Sequence, residues 1–247
     1  MRNLGDAWTY LTTSANWKGD EGIWHLLVQQ LLLSFTALAI AAVIGLTFAL
    51  WLGHLGKAGF LTVNLTNIGR AVPTFALLAI LVSLDHPGTA VFGPYGRAGL
   101  ATLIALSLYA LPPIYTNAYV AVREVAAPIK ESAIGMGMTG SQRFWRVELP
   151  LALPLIVSGL RLALVQVWAT ATIAALVAGP GLGILITEGF YRTDYPKGIA
   201  AAFVVAVVAF LLEVGSAFVE RAVDPNRKGT ATVNRATRSR VAPGVGA

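Results

Sequence analysis

The residues whose types suggest chemistry are few, and the familiar enzymatic patterns do not occur. The chain has no cysteine, and His25, His54 and His86 are too far apart in sequence for local metal-ligand spacing. The glycines between Gly135 and Gly140 match a dinucleotide fingerprint, but the residues before them are typical of a helix, whereas that motif follows a strand. No G-x-x-x-x-G-K-[ST], H-E-x-x-H or G-x-S-x-G pattern is present. We therefore expect no catalytic residue, no metal site and no bound cofactor in this chain.

Two arginines, Arg70 and Arg161, lie inside long apolar stretches. An ionised side chain inside a membrane crossing is unfavourable and usually faces protein or a water-filled path. One interpretation is a structural ion pair or a side chain that reaches to the interface, and the other is a gate or pathway charge. Glu213, in another apolar stretch, is the nearest unpaired candidate partner.

Three other residues inside apolar stretches suggest bends or inward hydroxyl groups. Pro73 favours a bend, and Thr170 and Thr172 present hydroxyls that hydrogen bond between helices or line a path. Packing and kinks are the alternative to a role in transport.

The elements that must position these residues are membrane-spanning helices. Of the 247 residues, 56% are hydrophobic and 12% are charged, which is about half the charged fraction of a soluble domain. The sequence predicts an all-α bundle over residues 26–219 with about five crossings, because each apolar stretch can span a hydrocarbon core of about 30 Å. These stretches are Leu26–Gly53, Ala58–Leu84, Ala98–Val122, Leu151–Ala178 and Gly198–Val219. Residues 182–186 are apolar but too short, so we expect a re-entrant or surface segment there.

The basic residues indicate the orientation of the bundle. With five crossings, eleven Lys and Arg fall on the side of the C-terminus and five on the other side, so the C-terminus is predicted inside and the N-terminus outside. The net charge of +6 is thereby interpreted as membrane topology and not as nucleic-acid binding. Residues 1–25 are predicted to lie at the outer interface, and residues 220–247 to form a disordered basic cytoplasmic tail.

The long inside loop, residues 123–150, is patterned. A short helix is expected over residues 126–136, followed by a turn at Gly137 and a capping box formed by Thr139 and Gln142. Pro150 is expected to open the next crossing. An apolar ridge with a charged rim predicts a protein-docking surface. The ridge comprises Ile129, Ile134, Met136, Met138 and Phe144, and the rim comprises Lys130, Glu131, Arg143 and Arg146.

The same loop resembles a known family. Glu-Ser-Ala at 131–133, Gly137 and Val-Glu-Leu-Pro at 147–150 are similar to the E-A-A, three residues, G, nine residues, I-x-L-P loop of bacterial ABC importer permeases. Ser132 and Val147 are the two departures. The resemblance implies the type I permease fold and coupling helices that sit in a groove of a separate ATP-binding subunit, which uses the ATP and magnesium. The residues that carry this role are then Glu131, Ser132, Ala133, Gly137, Val147, Leu149 and Pro150.

Residues 70–78, 109–114, 147–154 and 169–183 further resemble the osmoprotectant branch of these permeases. The resemblance implies import of glycine betaine, choline, carnitine or proline across a bacterial cytoplasmic membrane. It also implies a solute-binding protein and a second permease, identical or similar. Permeases for methionine or other small polar solutes remain the alternative, followed by a self-contained channel or secondary carrier.

If the cargo is a quaternary ammonium compound, aromatic side chains along the crossings could contact it. Tyr109, Tyr115 and Trp168 would offer such faces. In such systems, however, the high-affinity aromatic cage belongs to the separate binding protein.

Overall fold

Helices account for nearly all of the regular structure, as the apolar sequence predicts. The computed structural model describes residues 2–57, 64, 73–84 and 94–223, and no strand occurs within those residues. The α-helices are α1 Arg2–Thr12, α2 Ile23–Leu55, α3 Thr74–Ser83, α4 Arg97–Arg123, α5 Ala127–Gly135, α6 Gly140–Arg143, α7 Leu149–Ile173, α8 Gly183–Tyr191 and α9 Tyr195–Val223. Short 3-10 turns follow α1 at Ser14–Trp17 and α7 at Ala174–Val177.

Four predicted crossings correspond to helices that are long and apolar enough to span a membrane. These are α2, α4, α9 and the continuous helical stretch Gly140–Val177, which contains α7. The remaining predicted crossing, Ala58–Leu84, lies largely outside the described residues. Only Asn64 and its last part, which contains α3, are described.

Small residues let α2, α4 and α7 pack closely. Ala37 and Ala41 of α2, Ala110 of α4 and Ala163 and Ala171 of α7 are fully buried in one cluster. Because no side chains beyond a methyl group separate the backbones at these positions, the helices approach closely, as is typical of membrane bundles. One cluster of the core therefore lies between these three helices, and a second lies between α2, α7, α8 and α9.

The segment after α7 is packed into the bundle, so a surface location for residues 182–186 is wrong. Leu182 and Leu185 are fully buried. Gln30 of α2, also fully buried, accepts a hydrogen bond from Leu182 N at 2.9 Å and donates one to Thr172 Oγ1 at 2.8 Å. Gly181 has φ +125°, and a Cβ there would lie 2.9 Å from Gln30 Oε1, so this turn requires glycine.

The N-terminal segment forms a helix that packs against α9. In α1, Ala7 is buried while Leu4 and Trp8 are exposed. Trp17 donates its indole N–H to Leu11 O at 2.7 Å, which holds the turn before α2 against α1. The interfacial location of residues 1–25 stays a prediction. The predicted basic tail lies outside the described residues from position 224 onward.

Candidate coupling site

Helix α5 ends in a turn that only glycine fits well. Gly137 has φ +80°, its N–H donates to Ile134 O at 2.9 Å, and Met138 N donates to Ala133 O at 3.1 Å. These two bonds form a Schellman motif, which satisfies carbonyl groups at the helix end. The predicted turn at Gly137 is confirmed, and the predicted helix over residues 126–136 is confirmed with bounds Ala127–Gly135.

The start of α6 carries the predicted capping box. Thr139 Oγ1 accepts from Gln142 N at 3.3 Å, and Thr139 N donates to Gln142 Oε1 at 3.0 Å. The bend between α5 and α6 is thus defined on both sides by local hydrogen bonds.

Pro150 is the second residue of α7, as expected for a residue that opens a crossing, but the second half of the loop is not separated from that crossing. Helix α6 continues through a π-helical turn, Phe144–Glu148, directly into α7. Pro150 has no N–H, and its ring would clash with a carbonyl one turn earlier in a regular α-helix. The wider π turn lies at that position, so the helix passes the proline without ending.

An exposed apolar ridge lies on this end of the bundle. Ile129, Ile134 and Met136 are exposed, Met136 to 70%, and Trp145 is exposed as well. Glu131 and Ser132 are exposed beside them, whereas Ala133 of the same motif is buried. The rest of the motif divides in the same way: Val147 and Leu149 are half-buried, and Pro150 is exposed.

Two predicted members of the ridge, and Lys130 and Arg143 of the rim, are half-buried and belong instead to the layer beneath. Met138 and Phe144 are half-buried, and the Phe144 ring meets that of His54 edge-on with centroids 5.3 Å apart. Arg143, expected at the rim, is half-buried and contacts Glu148.

Glu148 is the centre of a buried charge network that sequence reasoning missed. Its side chain is 2% exposed. Its Oε1 accepts from Nε of Arg143 at 2.7 Å, and its Oε2 lies 2.6 Å from Nδ1 of His54. The Glu148 carboxylate can accept a hydrogen bond from Nδ1 of His54 when that nitrogen carries the hydrogen. The loop is thereby tied to the end of α2.

Lys130 ties α5 to the end of α4. Its Nζ donates to the carbonyl oxygens of Val122 and Arg123 at 2.9 and 3.2 Å. An ammonium group at a helix C-terminus satisfies orphan carbonyls and is favoured by the helix dipole. Burial lowers the pKa of this lysine, and the nearby Glu148 partly opposes that effect.

Arg161 of α7 is paired, and the candidate partner Glu213 is confirmed. Its guanidinium contacts Glu213 of α9, with Nε 3.0 Å from Oε1, and Nη1 donates to Glu220 Oε2 at 2.7 Å. Glu220, two turns beyond Glu213 on the same helix, was not predicted. Beyond Val204, α9 has no fully buried residue, although Val208, Ala209 and Leu212 pack against the core. The ion cluster therefore adds to the attachment of the second half of α9 to α7.

The other candidate pathway residues do not meet at one site. Trp168 is 1% exposed and donates its N–H to Val205 O at 3.1 Å, and Thr172 bonds Gln30. Thr170 is buried and Tyr109 half-buried. In this conformation Trp168 and Thr172 therefore connect helices within the core. Pro73 is exposed immediately before α3.

Arg70 lies outside the described residues, and the described residues contain no group of three potential metal ligands. Tyr115 is buried and stacks on Tyr119 with centroids 6.2 Å apart.

The sequence matches a family profile over most of its length. The profile is described as binding-protein-dependent transport system inner membrane component, and it covers residues 41–228. The chain is 32% identical to the osmoprotectant import permease protein OsmY of Salmonella typhimurium over 200 residues, 80% of each protein.

Two further relatives align over more of the chain. The carnitine transport permease protein OpuCD of Listeria monocytogenes is 32% identical over 226 residues, covering 91% of this chain and 95% of the relative. The choline transport system permease protein OpuBD of Bacillus subtilis is 31% identical over 229 residues, covering 92% and 95%.

A solved structure shares the fold. A chain of the MetNI methionine ABC transporter in an inward-facing conformation superimposes with a TM-score of 0.68 at 22% identity. The match covers 84% of this chain and all of that one.

Proposed function

Because the chain belongs to the family of binding-protein-dependent transport system inner membrane components, we propose that it is the permease subunit of an ATP-driven importer of osmoprotectants. Glycine betaine, choline, carnitine and proline are the proposed solutes. Relatives named for osmoprotectant, carnitine and choline transport support this solute class.

The observation that carries the proposal is an exposed ridge that polar contacts fix to two long helices and that is continuous with a third. The ridge residues Ile129, Ile134 and Met136 are free to contact a partner. Beneath them, Glu148 joins the loop to α2 and Lys130 joins it to α4. The same loop is continuous with α7.

This arrangement supports the docking of an ATP-binding subunit at residues 131–150. Exposed apolar side chains surrounded by charged ones are typical of protein interfaces. When the ATP-binding subunits close, a displacement of the ridge passes to α2, α4 and α7 together, because none of these contacts allows the loop to move alone. The crossings tilt, and the solute path opens to the other side. ATP and magnesium are bound by that partner.

A solute-binding protein and a second permease complete the proposed complex. α2 and α9 carry large exposed apolar side chains, among them Val43, Phe48, Phe210 and Phe218. Such surfaces suit lipid or a second copy of this chain, or a similar permease. The excess of basic residues on the α5–α6 side favours a cytoplasmic location for that end, with the N-terminus outside.

Purification of the tagged chain in mild detergent from its host tests this proposal. We expect the wild type to retain an ATP-binding subunit and a double variant, Glu131→Ala with Gly137→Val, to lose it. Glu124→Ala, an exposed carboxylate outside the motif, is the matched control and should retain the partner.

The complex is then reconstituted with its binding protein and assayed for ATP-dependent uptake of glycine betaine, choline, carnitine, proline and methionine. If methionine were the only solute taken up, the chain would be a methionine permease and not an osmoprotectant permease. Absence of any ATP-binding subunit, under conditions that preserve other membrane complexes, would favour a self-contained carrier.

A further inference from the structure

An open cavity of about 650 Å³ lies at the end of α2 opposite the Glu148 network. Its lining includes Trp17, Lys18, Asp20 and Trp24. Since α2 has 33 residues, it is about 50 Å long, so the cavity and the coupling site lie on opposite ends of the bundle. We propose that this cavity binds a quaternary ammonium group that has an anionic group beside it. The choice of ligand class rests on the proposed function.

Two indole rings make the cavity suitable for a quaternary ammonium group. Trp17 is held by its hydrogen bond to Leu11 O, so its ring has a fixed position. Trp24 lies in the first turn of α2 and is 61% exposed. An ammonium group that cannot donate hydrogen bonds is attracted to the faces of such rings, and tryptophan is the strongest of the aromatic residues in this contact.

Two opposite charges lie beside these rings and are available to a ligand. Lys18 and Asp20 are exposed, and their side chains make no hydrogen bond or ion pair with any other described residue. The Asp20 carboxylate can balance the ammonium group, and Lys18 can pair with an anionic group on the same ligand. The first N–H groups of α2 add positive potential, because Gly22 caps the helix without a side-chain acceptor.

The turn that carries these charges is preformed. Gly22 N donates to Gly19 O at 3.1 Å, and Gly19 has φ +85°. A Cβ at Gly22 would lie 2.5 Å from Lys18 O, so the backbone is tightly folded there. Because the turn is already formed, the chain loses little conformational entropy when a ligand binds.

Two sources offer this chemistry, a free solute such as glycine betaine and the headgroup of phosphatidylcholine. The test uses the full chain in nanodiscs of phosphatidylglycerol and phosphatidylethanolamine, which contain no quaternary ammonium group. Equilibrium binding of radiolabelled glycine betaine and of tetramethylammonium is measured without a binding protein. A second set of discs contains phosphatidylcholine.

We expect saturable binding of both probes. Trp24→Ala and Asp20→Asn should each weaken binding of both probes by about three- to thirty-fold. Lys18→Met should weaken binding of glycine betaine and leave tetramethylammonium unchanged. Trp51→Ala removes a tryptophan of similar exposure, 60%, near the other end of α2 and should leave both unchanged.

Equal affinity in both sets of discs assigns the cavity to the free solute, and competition by phosphatidylcholine assigns it to the headgroup. Either result supports the site. No saturable binding, or binding that neither Trp24→Ala nor Asp20→Asn weakens, overturns it. ATP-dependent uptake by a complex that lacks this binding would reject the cavity alone. Binding by a chain that captures no ATP-binding subunit when purified from its host would reject the proposed function alone.

Discussion

Glu148 is the residue on which the attachment of the loop depends most. Its carboxylate is buried between Arg143 and His54, so Glu148→Gln replaces a charge-assisted pair with a neutral amide. We expect the free energy of unfolding to fall by about 2 kcal/mol. We also expect ATP hydrolysis to continue while uptake falls, because the loop can then move without α2.

Thermal unfolding in detergent and paired assays of ATP hydrolysis and uptake in proteoliposomes check this prediction. Glu124→Gln is the control, since Glu124 is exposed at the end of α4. Unchanged stability and coupling in Glu148→Gln would mean that the loop is held by its apolar contacts alone.

Arg161 makes a second prediction at the level of single residues. Arg161→Ala leaves Glu213 and Glu220 close together on α9 without their cation. We expect the complex to assemble and uptake to be impaired, because the second half of α9 loses its ionic attachment to α7. The measurement is uptake per assembled complex.

A variant in which Arg161, Glu213 and Glu220 are all replaced by leucine separates structure from transport. Apolar replacement of a whole ion cluster is often tolerated, whereas removal of one partner is not. Recovered thermal stability with uptake still impaired would assign the cluster a role in transport. Normal uptake by Arg161→Ala would reject both a gating role for Arg161 and its role in attaching α9 to α7.

Among the elements, the short bend between α5 and α6 is the most exactly specified by local sequence. Gly137→Val places a β-branched residue at φ +80°, where it is strained, although no neighbouring atom lies within 4 Å of the added Cβ. We expect a loss of about 1–3 kcal/mol in the stability of this bend and uncoupling of hydrolysis from transport.

Gly135→Val is the matched control, because it has equally open space around its Cβ and no positive φ. ATP hydrolysis and uptake are measured for both variants, and the difference between the variants gives the effect of placing valine at a positive φ. Equal behaviour of the two variants would contradict the importance of the turn geometry.

The same bend explains what local sequence can and cannot predict about elements. Thr139 and Gln142 are three residues apart, and their capping box depends only on each other. The π turn over residues 144–148 and the helical continuity past Pro150 depend on the fit of the loop to α2 and α4. Local periodicity does not contain that information.

At the scale of the whole molecule, the family and the bundle were predictable, whereas most of the long-range polar contacts, apart from that between Arg161 and Glu213, were not. Apolar stretches and the loop motif identified the family, which the comparisons confirm. Glu148 and His54 are 94 residues apart, and Gln30 and Leu182 are 152 apart. A single sequence gives no signal for such pairs, although a lone carboxylate at the mouth of an apolar stretch was a reason to search for a partner.

The orientation of the molecule gives a further prediction. Because the chain has no native cysteine, single cysteines can be labelled uniquely. We expect Ala15→Cys to react with a membrane-impermeant maleimide in intact cells, and Glu124→Cys to react only after the membrane is opened. The reverse pattern would invert the proposed topology.

The continuous helical stretch from Gly140 to Val177 is long enough to act as a lever. Its 38 residues are about 57 Å long, well beyond the hydrocarbon core of about 30 Å. A rotation of about 10° about one end carries the other end through about 10 Å. A small rotation imposed at the α6 end would therefore become a displacement of about 10 Å at the far end, beside the glycine turn that Gln30 holds.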